Sequence, residues 1–396
     1  MRLRVAAVVM FIGLALLAAS LIRTSAPGDQ WTPQAAEQVS VPGEIRRHPD
    51  DDYLVRPEGL PFHVLTAEAA VLPEPFQRWI DQLLAATEVA SIGLLEGPDA
   101  FLFGEVGDVA LAADRLFVLD EQLEEVRVFS TAGEHVVTLG GPGQGPGEFM
   151  RPNALAIEPE SMGVWVGDET RRFIQYSLEN DLPRFLGTLQ VDAEVEDVCF
   201  AGLAAIAYAP MVFGGEPLRR ITSDGDAELF GLEAYGSPSV QLNYALGRDG
   251  IIACGPTGTP ASVFHASSIG EIRAYGALGE PLWVTAIEDF IGPDARELEN
   301  GRFAMVARVY SSRVVGLSAL GTGALLVQVS QMERREAGWR EEIRLDSYLL
   351  DPVTGAGSYV GADLPLVVAA RPGLVITLEN IEYPRIAVLE TGVVLS

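Results

Sequence analysis

The chain has 396 residues, 48% of them hydrophobic, with 55 acidic against 27 basic side chains and a formal net charge of -28. Every one of the 27 basic residues is arginine, which excludes chemistry that needs a lysine amine, such as Schiff-base formation or a Walker-type phosphate site. The acidity also excludes general nucleic-acid binding, because phosphate contacts need a basic patch.

In chain order, Arg2 and Arg4 precede the apolar run Val5–Ile22, and Arg23 follows it. A basic start before an apolar stretch has the form of a secretory signal, and eighteen such residues also just span a bilayer. Residues 1–24 are therefore expected to be a signal peptide or membrane anchor that exports the rest to a periplasmic or extracellular location. Residues 25–87 are rich in proline and acid, as in Pro49-Asp50-Asp51-Asp52 and Pro73-Glu74-Pro75. They read as an irregular linker ending in one short helix over Phe76–Thr87, with Phe76, Trp79, Ile80 and Leu83 on one face.

From about residue 88 the pattern changes to short β runs punctuated by Gly, Asp and Pro, and it repeats. Four turns align: Ser130–Glu134, Ser177–Asp181, Thr222–Asp226 and Ser267–Glu271. Their fourth residues, Gly133, Asn180, Gly225 and Gly270, lie 47, 45 and 45 residues apart. Gly and Asn are the residues that best tolerate the positive φ of a tight hairpin. A second series, Asp108, Asn153, Asp197 and Asn243, opens small apolar strands at spacings of 45, 44 and 46. Units of this size match the four-stranded blade of a propeller. The expectation is an all-β, six-bladed β-propeller over 88–396. Its first four blades run near 106–140, 153–190, 195–233 and 240–286, and Glu288–Arg308 is a helical insertion before the fifth. The sixth blade ends one strand short. An unmatched strand, Val89–Ile92, precedes the first blade, so pairing the two closes the ring and hides an edge.

Leu116–Gly140, followed by Gly143-Gln144-Gly145-Pro146-Gly147-Glu148-Phe149 and Pro152, resembles NHL-type repeats of exported bacterial six-bladed propellers. That resemblance implies a ring scaffold that binds a ligand or a protein. Relatives with known chemistry include calcium-dependent lactonases and zinc-dependent peptide-amidating lyases; this chain lacks the histidine-rich ring of the latter.

Inner strands of a propeller line its channel, so Asp108, Asn153, Asp197 and Asn243 are expected to converge there, with Arg313 at the same level in the fifth blade. They form the candidate ligand-binding set. The first four carry hard oxygen atoms suited to calcium, although polar side chains at a wet channel mouth need no metal to explain them. No catalytic residue is evident. The expected function is recognition of a protein, peptide or glycan by a monomeric ring, with no cofactor; the alternative is a calcium-dependent lactonase or hydrolase. Asp120-Glu121 and Asp168-Glu169 read as turn caps rather than cation ligands. Gly316–Gly321 only loosely resembles a nucleophile elbow and sits in a β context. None of His48, His63, His135 and His265 has a second histidine at ligand spacing. Arg334, Arg335 and Arg340–Glu342 read as a charged hairpin loop around Trp339. Cys199 and Cys254, the only cysteines, read as two buried small residues, with a disulfide as the alternative.

Overall fold

The computed structural model describes residues 59–68, 71–179, 181–210, 216–222, 225–231, 250–255, 263–293, 295–297, 303–305, 308–320, 323–335, 340–362, 364–380 and 382–391. They form an all-β six-bladed propeller. Blade 1 is the antiparallel sheet Val106–Ala112, Arg115–Asp120, Glu125–Ser130 and His135–Gly140. Blade 2 runs Pro152–Ile157, Val164–Asp168, Arg172–Glu179 and Leu182–Gln190. Blade 3 contains Asp197–Ala201, Ala204–Tyr208, Leu218–Ile221 and Ala227–Phe230. Blade 4 contains Ile251–Cys254, Val263–Ala266, Glu271–Tyr275 and Pro281–Ile287. In blade 5, Tyr310–Leu320, Ala324–Arg334 and Arg340–Leu350 are each 11 residues long, and Gly357–Gly361 completes the sheet. Blade 6 supplies Leu366–Arg371, Leu374–Asn380 and Pro384–Glu390. Its outermost strand is Thr87–Ile92, antiparallel to Pro384–Glu390.

The middle strands are apolar on both faces because a neighbouring blade covers each face. Leu116, Phe117, Val118 and Leu119 of blade 1 are all fully buried. Among the described residues six apolar clusters form, one between each pair of neighbouring blades. The last joins Ile376, Ile386 and Val388 of blade 6 to Val109, Leu116 and Val118 of blade 1, with Ile92 among them. The repeated turns have a physical cause. Ser130, Thr222 and Ser267 each donate their N–H to the carbonyl four residues on, at 2.8, 2.9 and 2.9 Å. Gly133, Gly225 and Gly270 carry the positive φ (85°, 90° and 76°). In blade 2 the positive φ falls on Asp181 (60°), next to Asn180, which is outside the described residues.

An arginine recurs on the third strand of every blade, each paired with a carboxylate. Arg127 meets Glu125 at 2.6 Å, Arg172 meets Asp168 at 2.9 Å and Arg219 meets Asp192 at 2.9 Å. Arg273 meets Glu271 at 2.6 Å, Arg344 meets Asp346 at 2.8 Å and Arg385 meets Glu379 at 2.9 Å. Arg127 and Arg219 also donate to the carbonyls of Leu102 and Ala209. Burying a guanidinium costs several kcal/mol unless it is paired in this way.

Several expectations are corrected. The helix spans Glu74–Leu84, starting at the Pro73–Pro75 turn and stopping before Thr87 so that the next strand can pair. Trp79, Ile80 and Leu83 pack, as expected for one face, on Leu326, Leu349 and Val367. The linker contains a strand, Phe62–Leu65, that adds in parallel to Pro281–Ile287. Glu288–Arg308 holds a two-stranded hairpin, Ala295–Glu297 with Phe303–Met305, rather than a helix; Gly292-Pro293 and Gly301 interrupt any helical run. Cys199 and Cys254 form a disulfide (S–S 2.04 Å, Cα–Cα 5.6 Å) that joins the inner strands of blades 3 and 4. Among the described residues no helix is long and apolar enough to cross a membrane. The run Val5–Ile22 and His48 lie outside them, as does Trp339.

Candidate functional site

The inner strands run from one mouth of the channel toward the other, and four of them carry a β-bulge. The ladder skips Gly107, Asn153, Val315 and Val368 in blades 1, 2, 5 and 6. A bulge leaves one residue unpaired and re-aims its neighbours. All four skipped residues line a single cavity of about 540 Å³.

The walls differ in character. Blades 1–3 contribute all the acidic side chains that line it (Asp108, Glu121, Glu169, Glu194, Glu196 and Asp197) and Asn153, beside the apolar Val106, Val109, Leu155 and Val198, whereas blades 5 and 6 contribute Val315, Leu317, Val367, Val368 and Leu378 beside Ser318. Arg313, exposed on the edge of blade 5, completes the rim. The structure thus brings Asp108, Asn153, Asp197 and Arg313 to one cavity. Asn243 lies outside the described residues, and the described inner strand of blade 4 is Ile251–Cys254. Glu121, Glu169 and Glu194 were missed as site residues. For Glu121 and Glu169 a signal existed, because both follow the aspartate that ends a second strand.

Asp108 and Asp197 occupy equivalent positions and perform the same local task. Asp108 Oδ1 accepts the Val109 N–H (2.7 Å) and Oδ2 accepts the Leu155 N–H of blade 2 (2.9 Å). Asp197 Oδ1 accepts from Val198 (2.7 Å) and Oδ2 from Ile252 of blade 4 (2.7 Å). The two carboxylates therefore tie blade 1 to 2 and blade 3 to 4. In blade 5 the corresponding place is Gly316, and Gln328 reaches past it from the second strand to accept the Val367 N–H of blade 6 (2.7 Å). Asn153 is a bulge residue, one position out of phase with Asp108, and its Oδ1 is sealed from solvent without a hydrogen-bond partner.

Calcium takes six to eight oxygen ligands, and the donors here do not fit it. All four oxygens of Asp108 and Asp197 already accept backbone N–H groups. Among the described residues no group of three or more His, Cys, Asp or Glu side chains is arranged to hold a metal. Asp120 and Asp168 are fully buried turn caps. Asp120 accepts the N–H groups of Gly104, Glu105 and Leu123, and Asp168 those of Met150 and Thr170 plus Arg172 Nε. Gly316-Leu317-Ser318 lies within the inner strand of blade 5 and makes no elbow. His265 is buried against the Tyr208 ring (4.7 Å). His135 Nε2 is 3.0 Å from Thr138 Oγ1, and His63 Nε2 is 2.9 Å from the Thr354 carbonyl.

Burial pushes the Asp108 carboxyl up from 3.8 to about 6. Asp197 is held well above 3.8, by burial and then by the neighbouring Asp108 charge. Burial, Glu105, Asp108 and Asp120 raise Glu121 from 4.5 to about 7, against the opposing pull of Arg313. Burial lowers His265 from 6.5 to about 3. These shifts fix a sign. Between pH 7 and 4.5 the folded chain takes up protons at Glu121 and Asp108 that the unfolded chain leaves ionised, and Asp197 is shifted in the same direction, so acidification stabilises it. His265 opposes this below pH 6.5, since only the unfolded imidazole charges there, but the carboxyls outweigh it. The denaturant midpoint is expected to rise from pH 8 to pH 5, with the rise near pH 7 lost in Glu121→Gln. A midpoint profile identical in wild type and Glu121→Gln would show that this carboxyl is not perturbed.

Residues 86–213 match a family described as a 6-bladed beta-propeller. A solved protein of Bacteroides fragilis NCTC 9343, inferred to be exported, superposes with a TM-score of 0.52 at 12% identity, covering 83% of this chain and 98% of its own. The Cps50 (Swd1) beta-propeller domain of Myceliophteria thermophila gives 0.44 at 11% identity, covering 77% of this chain and 99% of its own. No curated protein matches the sequence. The family match and the likeness to the Bacteroides fragilis protein agree with a six-bladed propeller fold.

Proposed function

We propose that this is an NHL-like recognition propeller working outside the cytoplasm as a monomer, whose bulge-lined cavity binds part of a peptide, glycan or protein partner. The observation that carries this reading is the cavity itself. Its roughly 540 Å³ falls in the range of ligand sites, and four bulges aim their residues into it. Export is supported by the Cys199–Cys254 disulfide, since such bonds persist in oxidising compartments. The basic start and apolar run at Val5–Ile22 agree with it, whether cleaved or kept as an anchor. The pairing of Thr87–Ile92 with Pro384–Glu390 supports a ring closed by its amino-terminal strand.

Thermal-shift measurements over a panel of short peptides and oligosaccharides test the reading. A stabiliser of the wild type is expected to lose its effect in Val315→Trp, which fills the cavity. A stabiliser acting equally on both would move recognition to another surface. The same assay includes calcium and a chelator. A calcium-dependent rise in Tm that disappears in Asp108→Ala/Asp197→Ala would replace this reading with the calcium-dependent lactonase or hydrolase.

A further inference from the structure

The two walls of the cavity ask for opposite things from a ligand. The wall from blades 1–3 offers acceptors, above all the carboxylates of Glu121, Glu169 and Glu194. The wall from blades 5 and 6 offers hydrocarbon. Val315 and Val368 are themselves bulge residues, so two of the four re-aimed positions present apolar side chains to the channel. A bare metal ion has no use for that wall, and the aspartate oxygens it would need are already engaged by backbone N–H groups. A neutral apolar ligand would leave the acidic wall desolvated and unpaired.

We propose that the cavity binds an organic cation, a primary ammonium carried on an apolar stem. The ammonium sits between Glu121 and Glu194, and the stem lies on Val315, Leu317, Val367 and Val368. This rests on the recognition reading above and names the chemistry of its ligand. An ammonium has three donors and no acceptor, which suits a wall of acceptors. Each buried methylene of the stem is expected to add about fourfold in affinity.

The test is calorimetric titration of the folded chain with hexylammonium, hexan-1-ol, hexanoate and calcium, with propylammonium as a short-stem control. An acetyl-leucyl-lysine amide arm separates a free amine from a lysine side chain on a peptide; whichever binds more tightly identifies the source. Hexylammonium is expected to bind at least about tenfold more tightly than hexan-1-ol, to weaken with added salt, and to exceed propylammonium. Glu121→Gln/Glu194→Gln removes two charges without cutting a hydrogen bond made by Asp108 or Asp197, and should lower hexylammonium affinity by about tenfold while leaving hexan-1-ol unchanged. Val368→Ser should instead erase the advantage of the longer stem. Equal affinity for hexylammonium and hexan-1-ol would overturn the cation assignment and leave the cavity as a binding site. Calcium binding more tightly than hexylammonium would overturn it in favour of a metal. Failure of every probe would overturn both the cation and the cavity as a site.

Discussion

A chain that begins at Gly93 is expected to unfold on the order of 10 °C below one that begins at Ala86. The two differ only by the strand Thr87–Ile92 and its lead residue. That strand pairs with Pro384–Glu390 through Ile92↔Ile386, Ser91↔Ala387 and Ala90↔Val388. It also delivers Ile92, fully buried, into the cluster between blades 6 and 1. Losing a buried isoleucine side chain costs about 2–5 kcal/mol. Beyond that, Pro384–Glu390 becomes a bare edge open to pairing with other chains. Arg385, which bonds Ser91 Oγ and Glu88, keeps only Glu379. The exit from the strand is equally constrained, because Gly93 (φ 116°) passes so close to Pro384 that a Cβ would sit 2.3 Å from its carbonyl oxygen. Differential scanning calorimetry of the two truncations measures the difference. Equal Tm values would mean that packing of blade 6 on blade 1 closes the ring without the strand.

The second large effect lies at the disulfide. Cys199→Ser/Cys254→Ser is expected to lower unfolding free energy by about 4 kcal/mol, the chain-entropy value for opening a loop of this length. The closed loop spans a sequence separation of 55 residues and contains the rest of blade 3. The bond joins two inner strands that Asp197 already couples through the Ile252 N–H, so one interface carries both a covalent and a hydrogen-bonded tie. Guanidinium unfolding of the oxidised protein and the double variant reports the difference. A shared midpoint would show that the aspartate tie and the Ile206–Tyr275 cluster hold that interface alone.

The architecture was legible because its signals are local. A turn such as Ser130–Glu134 needs a residue of positive φ at one position, and Gly133, Gly225 and Gly270 announce it at near-constant spacing. The cavity was half legible. Asp108 and Asp197 are true equivalents, but Asn153 corresponds to the skipped Gly107 and Ala154 to Asp108, a one-residue displacement that the near-constant spacing conceals. Asn243 precedes Tyr244-Ala245-Leu246, an apolar run as strand-like in sequence as Ile251–Cys254, and lies outside the described residues. The disulfide was hidden for a related reason: the approach of Cys199 and Cys254 depends on the relative height of two blades, and no local pattern encodes it. The apolar wall was invisible because Val315 and Val368 look like ordinary strand residues until the bulges turn them inward.

The third-strand arginines have a consequence for how the molecule meets its surroundings. Six of the chain's 27 cations are committed to partners within the blades, and Arg127, Arg219 and Arg273 are almost wholly enclosed. The outer skin is correspondingly depleted of positive charge, while many of the 55 acids stay on it. Such a particle repels its own copies and anionic polymers at low ionic strength. Its colloidal behaviour, its approach to anionic envelope surfaces and the rate at which a cationic partner reaches it should therefore all depend steeply on salt.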